Sequence, residues 1–391
     1  MNLALAPQWR LRPDRNCALF YKTSEIQIEE YRYVHPSYAV AMALWDGKKS
    51  SEDIAEILSY INGTSLESTV KFVENFISKN SEYLVEASRL PPGNVRKYDP
   101  LKFVMNIEDI DLSKKRLIAP LSLVMLVTNK CRTNCIYCYA ERNKRELVLS
   151  LSRIKEIISE AAEIGVSLIT FSGGDPFTRK DFIDILEHTL NMDIVPATST
   201  KCALSEARIE RLAKIGLKRL QISLDSPEPA TADFLTRTHN YLGSMIPVIQ
   251  NLVKAGIKVE TNSVITPYNI YQVPELIEKL VELGVSGIRI SPYARTYYRH
   301  SDQLFLSSED VKWLDEALKE FIEKYGRSTI RYSGSANEAQ LNTFKEKAKA
   351  YADRAMCTAG TQSLVIHHDG NVTRSGKTSF PFVLNIPEIT F

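Results

Sequence analysis

Cys131, Cys135 and Cys138 lie within eight residues, CRTNCIYC, in the spacing C-x3-C-x2-C. A closed structural zinc site takes four ligands, one more than this cluster offers. Three thiolates suit a 4Fe-4S cluster that leaves one iron open to a small molecule. The other cysteines, Cys17, Cys202 and Cys357, are scattered. Six cysteines with three of them clustered do not make a disulfide framework and suit a reducing cytoplasm.

The elements that must position this cluster repeat along the middle of the chain. Four segments, GVSLITFS, GLKRLQIS, GIKVETNS and GVSGIRIS, each follow an amphipathic helical pattern and begin at Gly165, Gly216, Gly256 and Gly284. Glycine there fits the left-handed residue that ends a helix. With LSLVMLVT at 121–128 and DIVPAT at 193–198, about six strands alternate with helices. That alternation predicts an α/β fold with a parallel sheet, an open partial (β/α)6 barrel of the TIM type. Ser172, Ser223, Ser263 and Ser291 stand seven residues after those glycines. Each is expected at the C-terminal mouth, where active sites of this architecture lie, although serine also commonly ends strands.

The cysteine loop, FSGGDPF at Phe171–Phe177 and QISLDSP at 221–227 together resemble the radical SAM superfamily. The resemblance implies that the cysteines bind three irons of one 4Fe-4S cluster. S-adenosylmethionine then chelates the fourth, and an electron from the cluster releases a 5'-deoxyadenosyl radical. It also implies a set of contacts. Tyr137 fills the aromatic slot near the adenine. Gly173, Gly174 and Asp175 resemble the GGE motif, whose backbone and carboxylate meet the methionyl amino group, with Asp where Glu is commoner. Ser223 and Asp225 match a segment that approaches the ribose and methionyl parts. Ser199, within Thr198-Ser199-Thr200, sits where a ribose contact is usual. Arg237 is a candidate for the cofactor carboxylate or, equally, a solvated capping residue. SPYARTYYRH at 291–300, with Tyr293, Arg295, Tyr297, Tyr298 and Arg299, reads as a surface loop by default and as a substrate-lining loop in the alternative.

Residues 1–90 read as a winged-helix-like unit of two strands, 17–23 and 25–34, and three short helices. Ser50-x-x-Asp53 and Thr64-x-x-Glu67 are capping-box patterns for the second and third helices. HPSYAVAMALWDGKKSSEDIAEIL at 35–58 resembles the PqqD-like RiPP recognition elements. That resemblance implies that residues 1–90 bind the leader of a ribosomally made precursor peptide by strand addition. These residues hold 10 Lys and Arg against 12 Asp and Glu, so a DNA-binding winged helix lacks its basic footprint. Residues 91–118, rich in Pro, Gly and polar residues, read as a linker to a radical SAM core at 119–335.

Residues 336–391 begin with a charged helix and continue with CTAGTQSLVIHHDGNVTR, in which Asp369-Gly370 is a hairpin signal. This tail resembles a SPASM or twitch extension, which carries auxiliary clusters. Ser375 stands where that family has a cysteine, and none follows Cys357. The extension is therefore read as degenerate or truncated, with one 4Fe-4S cluster per chain and no auxiliary cluster.

The function these resemblances imply is reductive cleavage of S-adenosylmethionine and crosslinking of a precursor peptide by a thioether or carbon–carbon bond. The alternatives are a small-molecule substrate or a catalytically impaired peptide-binding partner. The electron donor is expected to be a flavodoxin or ferredoxin. A net charge of +2 and a mean hydropathy of −0.18 give no reason to expect nucleic acid or membrane as partners. The N-terminus MNLALAPQWR has no signal-peptide pattern, so a cytoplasmic location is expected.

Overall fold

The computed structural model describes residues 2–25, 27–91, 94–113, 117–140, 148–294, 299–332 and 363–373. The charged helix from 335, Cys357, Ser375, Arg295, Tyr297 and Tyr298 lie outside the described residues. The chain forms two compact units, Met1–Leu121 and Ser122–Phe391.

In the first unit the strands are β1 (Leu3–Leu5), β2 (Trp9–Pro13), β3 (Ala18–Thr23) and β4 (Ile28–Val34). Helices α1 (Pro36–Ala43), α2 (Ser51–Asn62) and α3 (Leu66–Lys79) follow, then β5 (Leu84–Glu86). β2, β3 and β4 form an antiparallel sheet, and β1 pairs with β5. The sequence pattern finds only two of these strands. β2 escapes it because its Arg10 and Arg12 are buried rather than alternating outward. Arg12 donates to Asp14 and to the carbonyls of Ala119 and Pro120. The strand expected from residue 25 starts at Ile28, because the Ser24 N–H closes a turn onto the Gln27 carbonyl. Ser50 caps α2 through the expected reciprocal box. The cap of α3 is Ser65 rather than Thr64, whose hydroxyl instead meets Thr69.

The core of this unit is aromatic. Trp9 stacks on Phe20 at 4.5 Å, and Tyr83 meets both edge-on. The segment read as a linker joins that core. Phe103 is buried in it, and Tyr98 accepts a hydrogen bond from the Leu11 N–H.

The second unit begins with β6 (Ser122–Thr128), α4 (Leu151–Glu163), β7 (Leu168–Gly173), α5 (Phe182–Asn191) and β8 (Val195–Thr200). It continues with α6 (Glu206–Lys214), β9 (Arg219–Ile222), α7 (Pro229–Thr236), α8 (Tyr241–Lys254) and β10 (Lys258–Ile265). Then come α9 (Val273–Glu282), β11 (Gly287–Pro292), α10 (Ser308–Tyr325), β12 (Ile330–Tyr332), β13 (Ser363–Ile366) and β14 (Val372–Thr373). The sheet runs β12-β11-β10-β9-β8-β7-β6-β13-β14 and, among the described residues, does not close. All its pairings are parallel except β13 with β14, the hairpin expected at Asp369-Gly370. The four helix-ending glycines have φ of 75 to 83°, the left-handed geometry the pattern called for.

Side chains alternate across these strands. One face, including Ile169, Phe171, Leu220, Ile222, Val259 and Ile288, packs with the helices into the main core. The other face forms an inner trough. Register places Gln221 beside Glu260, Asn262 beside Arg289, and Arg289 beside Arg331 on that face. The same register separates the four repeat serines. Ser172, Ser223 and Ser291 alternate with helix-packed neighbours and lie on the trough side. Ser263 pairs with the core residue Ile290 and faces the helices, where its hydroxyl donates to the Leu224 carbonyl at 2.5 Å. β10 is one residue out of step with its neighbours. Lys258, two residues past Gly256, pairs with Arg219, three past Gly216, and a one-residue slip reverses every side chain.

Candidate active site

The cysteine loop leaves the C-terminal end of β6 and is tied down from several sides. Asn134 and Ile136 donate backbone N–H groups to Thr236 and Leu235 at the end of α7. Arg299 donates to the Asn134 and Cys135 carbonyls and to the Asn134 side chain, at 2.8 to 3.1 Å. Inside the loop, the buried Thr133 hydroxyl lies 3.3 Å from the Cys131 sulfur and 3.4 Å from that of Cys135. Cys135 is buried, and Cys131 and Cys138 are half-buried.

Gly173 and Gly174 stitch this loop to β7. The Gly174 N–H reaches the Thr128 carbonyl at 2.6 Å, and the Asp175 N–H reaches that of Lys130 at 2.7 Å. A Cβ on Gly174 would stand 2.0 Å from the Lys130 oxygen, and one on Gly173, at φ +116°, 2.1 Å from that of Thr128. No side chain fits there, so the glycines serve backbone-to-backbone contact within the protein.

Asp175, whose carboxylate the resemblance assigns a cofactor contact, is held by the protein's own donors. The side chain is turned inward and only 4% exposed. It accepts from the Phe177 N–H at 3.0 Å, the Thr200 hydroxyl at 2.8 and 2.9 Å and the Lys201 N–H at 2.7 Å. Its three donors bind the ends of β7 and β8 together. A carboxylate so engaged has little capacity left for a ligand.

Asp225 does the same after β9. It is 1% exposed and accepts from the Tyr137 hydroxyl, from Lys201 Nζ at 2.8 Å and from the Val264 N–H at 2.9 Å. Lys201 also donates to the Tyr137 hydroxyl at 3.0 Å and lies over the rings of Tyr137 and Tyr241. Burial and the Asp225 charge push the Tyr137 phenol well above its ordinary range. Burial works against the Lys201 charge, but Asp225, Tyr137 and Tyr241 outweigh it and hold the ammonium well above its ordinary range. Tyr137 packs with Leu235, Tyr293 and Leu304 beneath the loop. Sequence reasoning missed Lys201; its one signal is its place directly after Thr198-Ser199-Thr200, at the end of a strand.

Ser199 and Ser223 are half-exposed on the trough side, and the Ser223 carbonyl accepts from the Tyr241 hydroxyl. Ser172 shares a 2.9 Å hydrogen bond with the hydroxyl of Tyr139 from the cysteine loop. Arg237 is exposed, sits at φ +50° as the C-cap of α7, and makes no ion pair among the described residues.

Among the described residues, no three His, Cys, Asp or Glu side chains converge as a ligand set for one ion. A cubane cluster takes each thiolate at a separate iron, so its ligands stand apart. Three thiols, two of them partly exposed and all on one clamped loop, fit that demand. The half-exposed hydroxyls of Ser199 and Ser223 fit a polar cofactor beside it. No helix among the described residues is long and apolar enough to cross a membrane.

Residues 125–280 match the model of the radical SAM superfamily. The chain is 27% identical over 175 residues to the PqqA peptide cyclase of Bradyrhizobium diazoefficiens, which covers 44% of this chain and 46% of that protein. It is 29% identical over 208 residues to a probable GTP 3',8-cyclase of Methanothermobacter thermautotrophicus, covering 52% and 68%. The chain thus spans about half the length of the peptide cyclases it matches. Among solved structures, SuiB of Streptococcus suis bound to its precursor peptide SuiA has the same fold. Its TM-score is 0.67 at 17% identity, over 95% of this chain and 83% of that one. SuiB bound to S-adenosylmethionine gives 0.66 at 18%, over 95% and 82%.

Proposed function

We propose that this chain, whose residues 125–280 match the radical SAM superfamily, modifies a ribosomally made precursor peptide, forming a carbon–carbon or thioether crosslink. The observation that carries the reading is the fold. The likeness to SuiB, a structure that holds its precursor peptide, extends over 95% of the chain and so beyond the radical SAM domain alone. The peptide cyclases matched in sequence support the same substrate class.

A 4Fe-4S cluster on Cys131, Cys135 and Cys138 with S-adenosylmethionine supplies one-electron reductive cleavage when both are bound. The chain's own residues do the rest. Arg299 and the α7 carbonyls fix the loop, and Tyr137, braced by Asp225 and Lys201, closes its inner side. Ser199, Ser223 and Arg237 offer hydroxyls and a guanidinium to the ribose and carboxylate of the cofactor. We assign residues 1–90 the peptide leader, residues 119–335 the chemistry and 336–391 a degenerate extension with no auxiliary cluster. The electron donor is a flavodoxin or ferredoxin, and the setting is the cytoplasm.

Anaerobic incubation with S-adenosylmethionine and a strong reductant should release 5'-deoxyadenosine; no release sinks the enzyme reading. Co-expression with a peptide encoded beside the gene should lower the peptide's mass by about two hydrogens. The match to a GTP cyclase favours a second reading, a small-molecule substrate. It takes over if 5'-deoxyadenosine forms while the co-expressed peptide keeps its mass; unchanged peptide binding on deletion of residues 1–90 would remove only the leader assignment.

A further inference from the structure

Charged side chains gather on the trough face below the mouth. Glu260 projects from the middle of β10 and pairs with Arg219 of β9 on one side. On the other it reaches Arg331 of β12, at 3.3 and 3.4 Å. That second contact spans β11, and it can do so because the intervening residue is Gly287. A Cβ there would stand 3.1 Å from the Glu260 side chain. Burial would raise the Glu260 pKa, but the two guanidinium groups outweigh it and hold it below its ordinary range. Glu260 is thereby fully engaged as an anion.

Arg289 has no such partner. It stands on the trough face of β11, between Asn262 of β10 and Arg331 of β12. Its strand neighbours Ile288 and Ile290 are buried among the helices, whereas Arg289 is exposed. Among the described residues no carboxylate pairs with it. Asn262 beside it receives a 2.9 Å hydrogen bond from Ser291 at its Oδ1. Arg289 thus stands beside an Arg–Glu–Arg group, with no carboxylate of its own among the described residues, on the unit that carries the cysteine loop. A guanidinium fork matches a carboxylate bidentately, and such charge-assisted pairs gain strength where solvent is partly excluded.

We infer that Arg289 is the anchor of a substrate subsite that takes a carboxylate of the peptide, from an acidic side chain or a C-terminus. This rests on the peptide reading of the function. Beside Arg289, Arg219 and Arg331 share the Glu260 carboxylate. Arg289 selects which segment of an acidic peptide lies along the trough and does not touch the reacting atoms.

The test uses the full-length protein and defined probes. Arg289 is exposed, so phenylglyoxal should modify it, and peptide mass mapping reads the rate at that residue. N-acetylglutamate α-amide presents a side-chain carboxylate, N-acetylalanine a terminal one, and N-acetylglutamine α-amide none. Slower modification with either carboxylate probe but not with the neutral one supports the subsite and identifies the source. Equal rates with all three overturn it. By ligand-observed NMR, Arg289→Gln should weaken binding of the protecting probe by about tenfold, and Arg289→Lys by less. Unchanged binding in Arg289→Gln also overturns the subsite. Neither measurement needs turnover. A protecting carboxylate without 5'-deoxyadenosine release would leave the subsite and remove the peptide-maturase reading. Release with no protection would do the reverse.

Discussion

At the mouth of the sheet, Asp225 receives a phenol, an ammonium and a backbone N–H and is 1% exposed. In the trough below, Arg289 is exposed and no described carboxylate meets it. Both positions are charged, and both lie in one unit near the strands that carry the cysteine loop. The difference lies in what the charge is spent on. Asp175 and Asp225 are consumed by protein donors, so they hold β7, β8, β9, β10 and the loop in one geometry. Arg289 meets no carboxylate among the described residues. Here the two buried carboxylates are scaffold, whereas Arg289 faces solvent.

Breaking the mouth should have the largest effect. Asp225→Ala strands the Lys201 ammonium and the Tyr137 hydroxyl in a buried site. It should cost about 3–5 kcal/mol, read as a lower midpoint in urea unfolding. A loss under about 1 kcal/mol would show that the ammonium is not committed to this carboxylate. Gly174→Ala should follow, because its Cβ meets the rigid Lys130 carbonyl. A cost of about 1–3 kcal/mol is expected, together with reduced iron uptake on reconstitution, since the strained segment is the root of the cysteine loop. Full iron content in that variant would separate loop geometry from the glycine pair.

A pH effect sharpens the same contrast. Burial, then the Asp175 charge, pushes the Cys202 thiol from its ordinary 9.0 up to about 12. The folded state therefore holds the proton more tightly than the unfolded one. This contribution is fully present below pH 9 and is lost as pH rises toward about 12. Stability measured across that window should fall less steeply in Cys202→Ala, in which no thiol titrates. The smallest effect belongs to the trough. Arg289→Ala should leave stability within about 0.5 kcal/mol, as for a surface residue without internal partners. A larger loss would make Arg289 scaffold and erase the contrast with Asp225.

Much of this was legible in the sequence, and the failures share a cause. The glycine-ended repeats gave the parallel sheet, because a left-handed residue after a helix is a local requirement that glycine meets alone. The cysteine spacing gave the loop, since its chemistry is local too. The inward bonds of Asp175 could not be read beforehand because a motif records residue type and spacing but not side-chain direction, and its donors Thr200 and Lys201 come from the next strand. Ser263 was placed with Ser172 and Ser223 because counting from the glycines cannot detect the one-residue offset of β10. β2 was missed because Arg10 and Arg12, polar in the sequence, are buried. Lys201 and Arg289 acquire meaning only when strands distant in sequence lie side by side.

The strand that leads into the cysteine loop has one further property. Ser122 of β6 pairs with Ser363 of β13, a partner far along the chain, whereas its other neighbour β7 is close by. During synthesis, β6 through β12 can assemble from local crossovers while the outer edge of β6 keeps its N–H and C=O groups unpaired. An open edge of that kind is a template for pairing with another chain. Closing it requires a long-range contact, the kind that forms slowly. The step most exposed to misassembly is thus the late docking of Ser363–Ile366, which seals the strand at the root of the three thiols.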